Sequence, residues 1–264
     1  MHVLKKLIVC IAVLFTLPTL AGNQTWDFTS NSTPLNSSVN GNSFSMNVDG
    51  ITLTVTGWSD TFGQSYVVGT PETIEEAELV YYGDSLGLNN KDEDDDTPNH
   101  SIDSYDGRWG NDFDVLMFTF SSEVSLDGLD IGWAYEDYNT NNSSAHADIT
   151  TIAYTGNGSS NISGSTWQGI ATSSAWSLVQ NSSNVPKDSY HALTNQVKSS
   201  SFLISAYNPL FGGNWSSLND GFKLAGITTK TSSPKPPTDV PEPATFATLL
   251  LGLIGLRIVR KKVR

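Results

Sequence analysis

The feature that most limits the fold is a strict alternation of apolar residues with threonine. Segment 51–56 reads Ile-Thr-Leu-Thr-Val-Thr, which places three apolar side chains on one face of an extended strand. Short apolar segments recur along the chain, at residues 115–120, 129–133, 149–154, 176–179, 202–207 and 222–227. Asn-Gly, Asp-Gly and Gly-Gly turn signals separate many of them, and no long segment has the 3.6-residue period of a helix. The chain is therefore predicted to be all-β.

Many short strands without helices are typical of a β-sandwich, and we predict a single jelly-roll-like sandwich over residues 22–227. One short helix is predicted at Thr73–Val80, with Thr73 and Glu76 as its capping pair. Trp133 is predicted to be a core residue because it alternates with Ile131.

Residues 1–21 have the features of a secretion signal. Lys5 and Lys6 supply the positive start, residues 7–17 are uncharged and apolar, and small residues end the segment at Ala21. Cleavage is predicted after Ala21; a buried N-terminal helix is the alternative. The only cysteine is Cys10, so the mature chain is predicted to contain no disulfide.

The body of the chain is strongly acidic. The whole sequence has 27 acidic and 14 basic residues and a net charge of −13, and half of the basic residues lie in its two ends. Such a body repels nucleic acid and anionic lipid and attracts cations. We therefore expect no nucleic-acid partner.

The C-terminal region has three successive parts. Residues 228–239 form a linker rich in Pro, Ser and Thr, which proline keeps extended. Residues 244–256 form an uncharged apolar segment that, as a helix, would be about 20 Å long, short of a hydrocarbon core of about 30 Å. A basic end follows, formed by Arg257, Arg260, Lys261, Lys262 and Arg264. It is expected to stay in the cytoplasm, and an ordinary single-span anchor is the alternative to a sorting tail.

Pro241, Glu242 and Pro243, followed by the apolar helix and the basic end, resemble the PEP-CTERM sorting signal, which here covers residues 240–264. The resemblance implies that an exosortase of a Gram-negative, exopolysaccharide-making bacterium processes the chain. It also implies a location at the cell surface or in the extracellular matrix of a biofilm. Membrane contact would then be limited to the C-terminal transmembrane helix before processing.

The body also resembles a group of exosortase-dependent surface proteins. The similarity rests on Leu-Gly-Leu-Asn-Asn at 86–90, Pro-Asn-His-Ser-Ile-Asp at 98–103, Ile-Gly-Trp at 131–133 and Ser-Ala-Tyr-Asn at 205–208. It implies a location and a domain type, and it leaves the molecular task open.

Five consecutive carboxylates at residues 92–96 form the densest charge in the chain. Calcium accepts six to eight oxygen ligands in flexible geometry, and such a run suits it. Asp92, Asp94, Asp96 and Asp103 have the spacing of positions 1, 3, 5 and 12 of an EF-hand loop, although Thr97 stands where the turn glycine belongs. The two interpretations are a calcium site and a solvated acidic loop.

Residues 83–86, Gly-Asp-Ser-Leu, spell the motif of the GDSL esterases, and Asp188 and His191 have the spacing of that family's Asp and His. A secreted esterase with Ser85 as nucleophile is therefore the alternative function. Against it, the esterase fold is α/β, and its Gly-x-Asn-Asp block is missing here. We predict that the protein is not an enzyme.

The seven tryptophans are many for so polar a chain, and exposed aromatic rings can stack on sugars. Trp109 and Trp215, in Gly- and Asn-rich segments, are the best candidates for exposure; core packing is the alternative for the rest. Together these observations predict an exported structural protein of the surface or matrix that embeds in or binds exopolysaccharide. A protein–protein adhesin is a third option, which the sequence does not separate from glycan binding.

Overall fold

The computed structural model describes residues 22–29, 41–61, 72–82, 84–90, 100–104, 113–136, 145–215 and 219–231. All of them belong to one compact unit, Gly22–Thr231.

Within these residues, twelve strands account for nearly all of the regular structure. They are β1 (Asn23–Asp27), β2 (Ser43–Val48), β3 (Ile51–Thr61), β4 (Thr73–Tyr82), β5 (Ser85–Asn89), β6 (Ile102–Asp103), β7 (Val115–Glu136), β8 (His146–Tyr154), β9 (Trp176–Pro186), β10 (Ser189–Ala192), β11 (Lys198–Ala206) and β12 (Asp220–Lys230). A helix α1 (Trp167–Thr172) and a 3₁₀ turn (Pro209–Phe211) complete the described elements. The all-β prediction is confirmed, and each apolar segment predicted to be extended lies largely in one of these strands.

Five strands close into a ring in the order β12, β5, β4, β3, β7 and back to β12. Strand β7 makes the closure possible because it is 22 residues long. Its first part pairs with β3, from Trp58 opposite Val115 to Leu53 opposite Phe120. Its second part pairs with β12, beyond the exposed residues 121–123. A closed ring leaves no free edge on its own strands.

The remaining strands extend from this ring. Strands β11, β8 and β9 continue the sheet from β7, β10 pairs with β7, β2 pairs with β3, and β1 and β6 pair with β12. The jelly-roll sandwich prediction needs correction here, because the strands form one connected sheet that closes on itself instead of two facing sheets. Alternation of apolar and polar residues indicates a half-buried strand, and the same alternation occurs in a sandwich and in a closed ring of strands.

The main core lies inside the closed ring of strands. It consists of alternate residues of those strands and of aromatic side chains from β1, the residue that follows it, and β11. Trp26 packs edge-on against Phe120 with ring centres 5.5 Å apart, and Phe28 stacks on Phe118 at 6.1 Å. Trp26 also donates its indole N–H to Thr229 Oγ1 at 2.9 Å, so the buried ring has its polar atom satisfied. A second cluster joins α1, through Trp167 and Ile170, to the outer side of β3, β7 and β11.

The helix predicted at Thr73–Val80 is wrong, because these residues form most of strand β4. The segment pairs with β3 on one side and with β5 on the other. Its ladder partners outweigh the local capping signal, since tertiary pairing overrides weak helix propensity.

Candidate functional site

The predicted sorting residues and the acidic run lie outside the described residues. This holds for Pro241, Glu242 and Pro243, for the basic end from Arg257 to Arg264, and for Asp92, Asp94 and Asp96. Their predicted roles stay predictions. The segments that border the acidic run, ending at Asn90 and resuming at His100, are described.

Asp103 is the one predicted calcium ligand that the structure describes. It lies in β6, beside Gly221 of β12, and its side chain is buried. Ser101 Oγ donates to its Oδ2 at 2.6 Å, and its backbone carbonyl accepts from the N–H of Asp114 at 2.9 Å. These bonds attach the returning end of the acidic segment to the start of β7.

Asp114 is the second carboxyl of this buried polar cluster. Desolvation by burial raises its pKa from 3.8 to about 7, and the hydrogen bond from Asn90 opposes the rise. The amide of Asn90 donates to Asp114 Oδ1 at 3.3 Å. Because Asn90 precedes the acidic run, Asp114 holds the other end of that segment.

A further buried carboxyl, Asp60 near the end of β3, binds the backbone of the segment that precedes β7. Its Oδ1 accepts the backbone N–H of Phe113 at 2.6 Å. Burial raises the pKa of Asp60 from 3.8 to about 8, because the hydrogen bond from the backbone N–H of Phe113 only partly offsets the desolvation. Below a pH of about 8 the Asp60 carboxyl is therefore mostly protonated and neutral, which avoids the free-energy cost of a buried charge.

The described residues contain no group of three or more His, Cys, Asp or Glu side chains arranged to hold a metal ion. Three of the four predicted calcium ligands lie outside these residues. Calcium binding by this segment therefore stays a prediction.

The residues of the predicted esterase triad have separate partners. Ser85, in β5, is buried, and its Oγ donates to Asp84 Oδ1 at 3.5 Å. The Nε2 of His191 is 2.9 Å from Ser182 Oγ of β9, and Asp188 is exposed, 4.0 Å from the ammonium of Lys187. The prediction that the protein is not an enzyme stays a prediction.

Three side chains form a platform on the outer surface of the ring: Tyr82 of β4, Lys223 of β12 and Trp133 of β7. The ammonium of Lys223 lies 4.1 Å from the centre of the Tyr82 ring and 5.1 Å from the centre of the Trp133 ring. Lys223 and Trp133 are directly opposite in the β7–β12 ladder. The cation is attracted to both ring faces, which fixes the rings in place.

The two rings of the platform differ in exposure. Tyr82 is 60% exposed, the largest value among the exposed large hydrophobic residues of the described chain. Trp133, predicted to be core, is instead half-buried. A register shift between Lys223 and Leu224 in the β7–β12 ladder breaks the simple alternation from which its burial was inferred.

Strand β4 connects the platform to a polar groove. One face of the strand carries exposed or half-buried side chains, those of Glu76, Glu78, Val80 and Tyr82. Between them, Ala77 and Leu79 point to the other face and are buried. From Glu76 to Tyr82 this face runs about 20 Å. We call it the β4 stripe.

The groove has a volume of about 460 Å³ and opens beside the Glu76 end of the β4 stripe. Five of its seven lining residues have polar side chains, two carboxylates and three amides; the lining residues are Gly41, Asn42, Glu76, Ala77, Glu78, Asn89 and Asn90. Amides and carboxylates supply both donors and acceptors, so the groove can bind a ligand rich in hydroxyl groups.

Sequence reasoning missed Tyr82 and the groove carboxylates because it assigned most of β4 to a helix. The signal was present in the alternation of Ala77 and Leu79 with Glu78 and Val80. The exposure predicted for Trp215 is confirmed at 37%, with its ring 5.0 Å from that of Tyr207. Trp109 lies outside the described residues.

In the part of the chain that the structure describes, no helix is long and apolar enough to cross a membrane. The predicted sorting helix at 244–256 is not within that part.

Comparison with protein families finds a match to the PEP-CTERM protein-sorting motif over residues 239–262. The match covers the predicted Pro-Glu-Pro motif, the apolar segment and most of the basic end. No curated protein and no solved structure matches the chain.

Proposed function

We propose that this chain, which carries the PEP-CTERM sorting motif, is a structural protein of the extracellular matrix of a Gram-negative bacterium and associates with the exopolysaccharide of its own host. The motif at residues 239–262 is the observation that carries the proposal. It implies targeting of an exported chain to the cell envelope or surface by an exosortase. Matrix location and polysaccharide association go beyond the motif and are ours.

Two properties of the domain support association with polysaccharide. Its outer surface presents an exposed aromatic ring, Tyr82, on the same strand as a groove lined by amides and carboxylates. Its strongly acidic composition disfavours nucleic acid and anionic membranes as partners. A hydroxyl-rich, uncharged polymer satisfies both conditions.

Calcium is the cofactor that we propose for the acidic run. Consecutive carboxylates at 92–96 repel one another, and a hard divalent cation removes that repulsion. The side-chain bond from Asn90 to Asp114 and the backbone bond from Asp114 to Asp103 connect both borders of this segment to the residue that precedes β7.

The distribution of the protein in its host tests the proposal. The full chain is expressed in a strain that secretes exopolysaccharide and in an otherwise identical strain that does not, and the cell, matrix and medium fractions are compared. We expect the protein in the matrix fraction of the first strain and free in the medium of the second. The same distribution in both strains would contradict the association.

A further inference from the structure

We propose that the β4 stripe is the polysaccharide-binding site and that its ligand is a neutral segment of a sugar chain, an inference that rests on the proposed function. The groove at Glu76 and Glu78 would bind sugar hydroxyls, and the Tyr82 ring would stack on the apolar face of a further sugar along the chain. Along the strand, Tyr82 lies about 13 Å from Glu78 and about 20 Å from Glu76, a span that suits an extended polymer.

The Tyr82 ring is preorganised for stacking by its contacts with neighbouring side chains. Lys223 is 7% exposed and holds its ammonium 4.1 Å from the centre of the Tyr82 ring, while 60% of the tyrosine stays exposed. His100 lies beside the same ring, with ring centres 6.0 Å apart. A ring held in this way loses little conformational entropy when a sugar stacks on it.

The groove contributes hydrogen bonds of two kinds. Glu76 and Glu78 are acceptors, while the amides of Asn42 and Asn89 both donate and accept. Glu78 and Asn89 are opposite each other in the β4–β5 ladder, so two different hydrogen-bonding groups lie side by side. Paired groups of this kind suit the adjacent hydroxyls of a sugar ring.

The charge of the site selects against acidic sugars. Two carboxylates line the groove, and the chain carries 27 acidic residues against 14 basic ones. A uronic acid or a sulfated sugar placed in the groove would meet like charges, which are unfavourable at short range. The proposed ligand is therefore a neutral stretch of the polymer.

Binding of two polysaccharide fractions tests the site. Matrix polysaccharide from the host is separated by anion exchange into a neutral and a uronic-acid-containing fraction. Each is titrated against the processed protein isolated from that host, in calcium and in EDTA. We expect binding to the neutral fraction, unchanged by EDTA and weakened at least about tenfold by Tyr82→Ala and by a Glu76→Ala and Glu78→Ala double variant. Tyr82→Phe keeps the ring and is expected to bind like the wild type.

Matched controls separate the site from general effects on folding. Tyr190 is a comparably exposed tyrosine, at 52%, and Glu123 is an exposed glutamate of β7, so Tyr190→Ala and Glu123→Ala are expected to bind like the wild type. Thermal melts confirm that each variant is folded.

Each other outcome overturns a defined part of the inference. Neutral polymer that binds all variants equally would leave the proposed function standing and exclude this site. Binding confined to the acidic fraction would exclude a neutral ligand. Binding to neither fraction would remove the proposed polysaccharide association as well.

Discussion

The carboxyl of Asp60 accepts the backbone N–H of Phe113 at 2.6 Å, joining the end of β3 to the residue that precedes Asp114. Asp114 in turn bonds to Asn90, at the border of the acidic run. Two buried carboxyls thus accept hydrogen bonds from residues of other described segments, Asp60 from Phe113 and Asp114 from Asn90. Because both are desolvated, their protonation couples to the stability of the domain.

Stability is predicted to decrease as the pH rises from about 4 to about 8. Burial raises the pKa of Asp114 to about 7 and that of Asp60 to about 8, from an ordinary value of 3.8. In this range the folded chain binds more protons than the unfolded chain, so raising the pH favours unfolding. Thermal melts at a series of pH values measure the effect.

The Asp60→Asn variant is expected to flatten that pH dependence. Asparagine retains an oxygen that can accept the Phe113 N–H, and it has no proton to lose above pH 4. Asp188→Asn, at an exposed carboxyl, is the matched control and should keep the slope of the wild type. Equal slopes in the wild type and in Asp60→Asn would show that Asp60 is not the titrating group.

The Gly87→Ala variant is predicted to destabilise the domain by about 1 to 3 kcal/mol. A Cβ at Gly87 would overlap the backbone carbonyl of His100, the first described residue after the acidic run. Since the obstacle is backbone, no side chain can move aside to relieve it. Chemical denaturation measures the loss, and Gly158→Ala, where a Cβ meets only the Tyr154 hydroxyl at 3.4 Å, is the control. Equal losses in both variants would contradict the close approach.

Millimolar calcium is predicted to raise the melting temperature of the protein. A cation that binds only the folded state stabilises it by mass action. Triple replacement of Asp92, Asp94 and Asp96 by asparagine should abolish the rise, and the same concentration of magnesium tests selectivity. A melting temperature that calcium leaves unchanged would favour the solvated acidic loop.

The purified protein is predicted not to hydrolyse short acyl esters. Ser85 is buried, and its hydroxyl bonds to Asp84, while His191 bonds to Ser182 on another strand. A colorimetric assay with a short-chain ester, on the wild type and on Ser85→Ala, measures this directly. Turnover in the wild type that Ser85→Ala abolishes would support the secreted esterase instead.

The sequence alone predicts the strands well, because the alternation of apolar and polar residues in a strand indicates which of its faces is buried. Segment 51–56 keeps its threonines on one face and its apolar residues on the other in β3, as the alternation indicates. Ring closure was not predictable in this way. It depends on β7 pairing with β3 at one end and with β12 at the other, and the alternation of residues carries no information about partners.

The candidate site was missed for a related reason. Glu76 and Thr73 imitate a helix cap, so the two-residue period of β4 was not recognised. Lys223 and Tyr82 are distant in sequence, and their contact arises only when β4, β5 and β12 become neighbours. The sorting motif, by contrast, is a contiguous signal, and its prediction is confirmed over residues 239–262.

The intact mass of the protein recovered from outside the host cells tests the central claim most directly. We predict a chain that begins after Ala21, ends near Pro241–Pro243 and lacks the basic end from Arg257 to Arg264. We also predict that replacing Pro241, Glu242 and Pro243 by alanine leaves the chain with the cells at its unprocessed C-terminal length. Extracellular protein that retains the basic end would contradict exosortase processing.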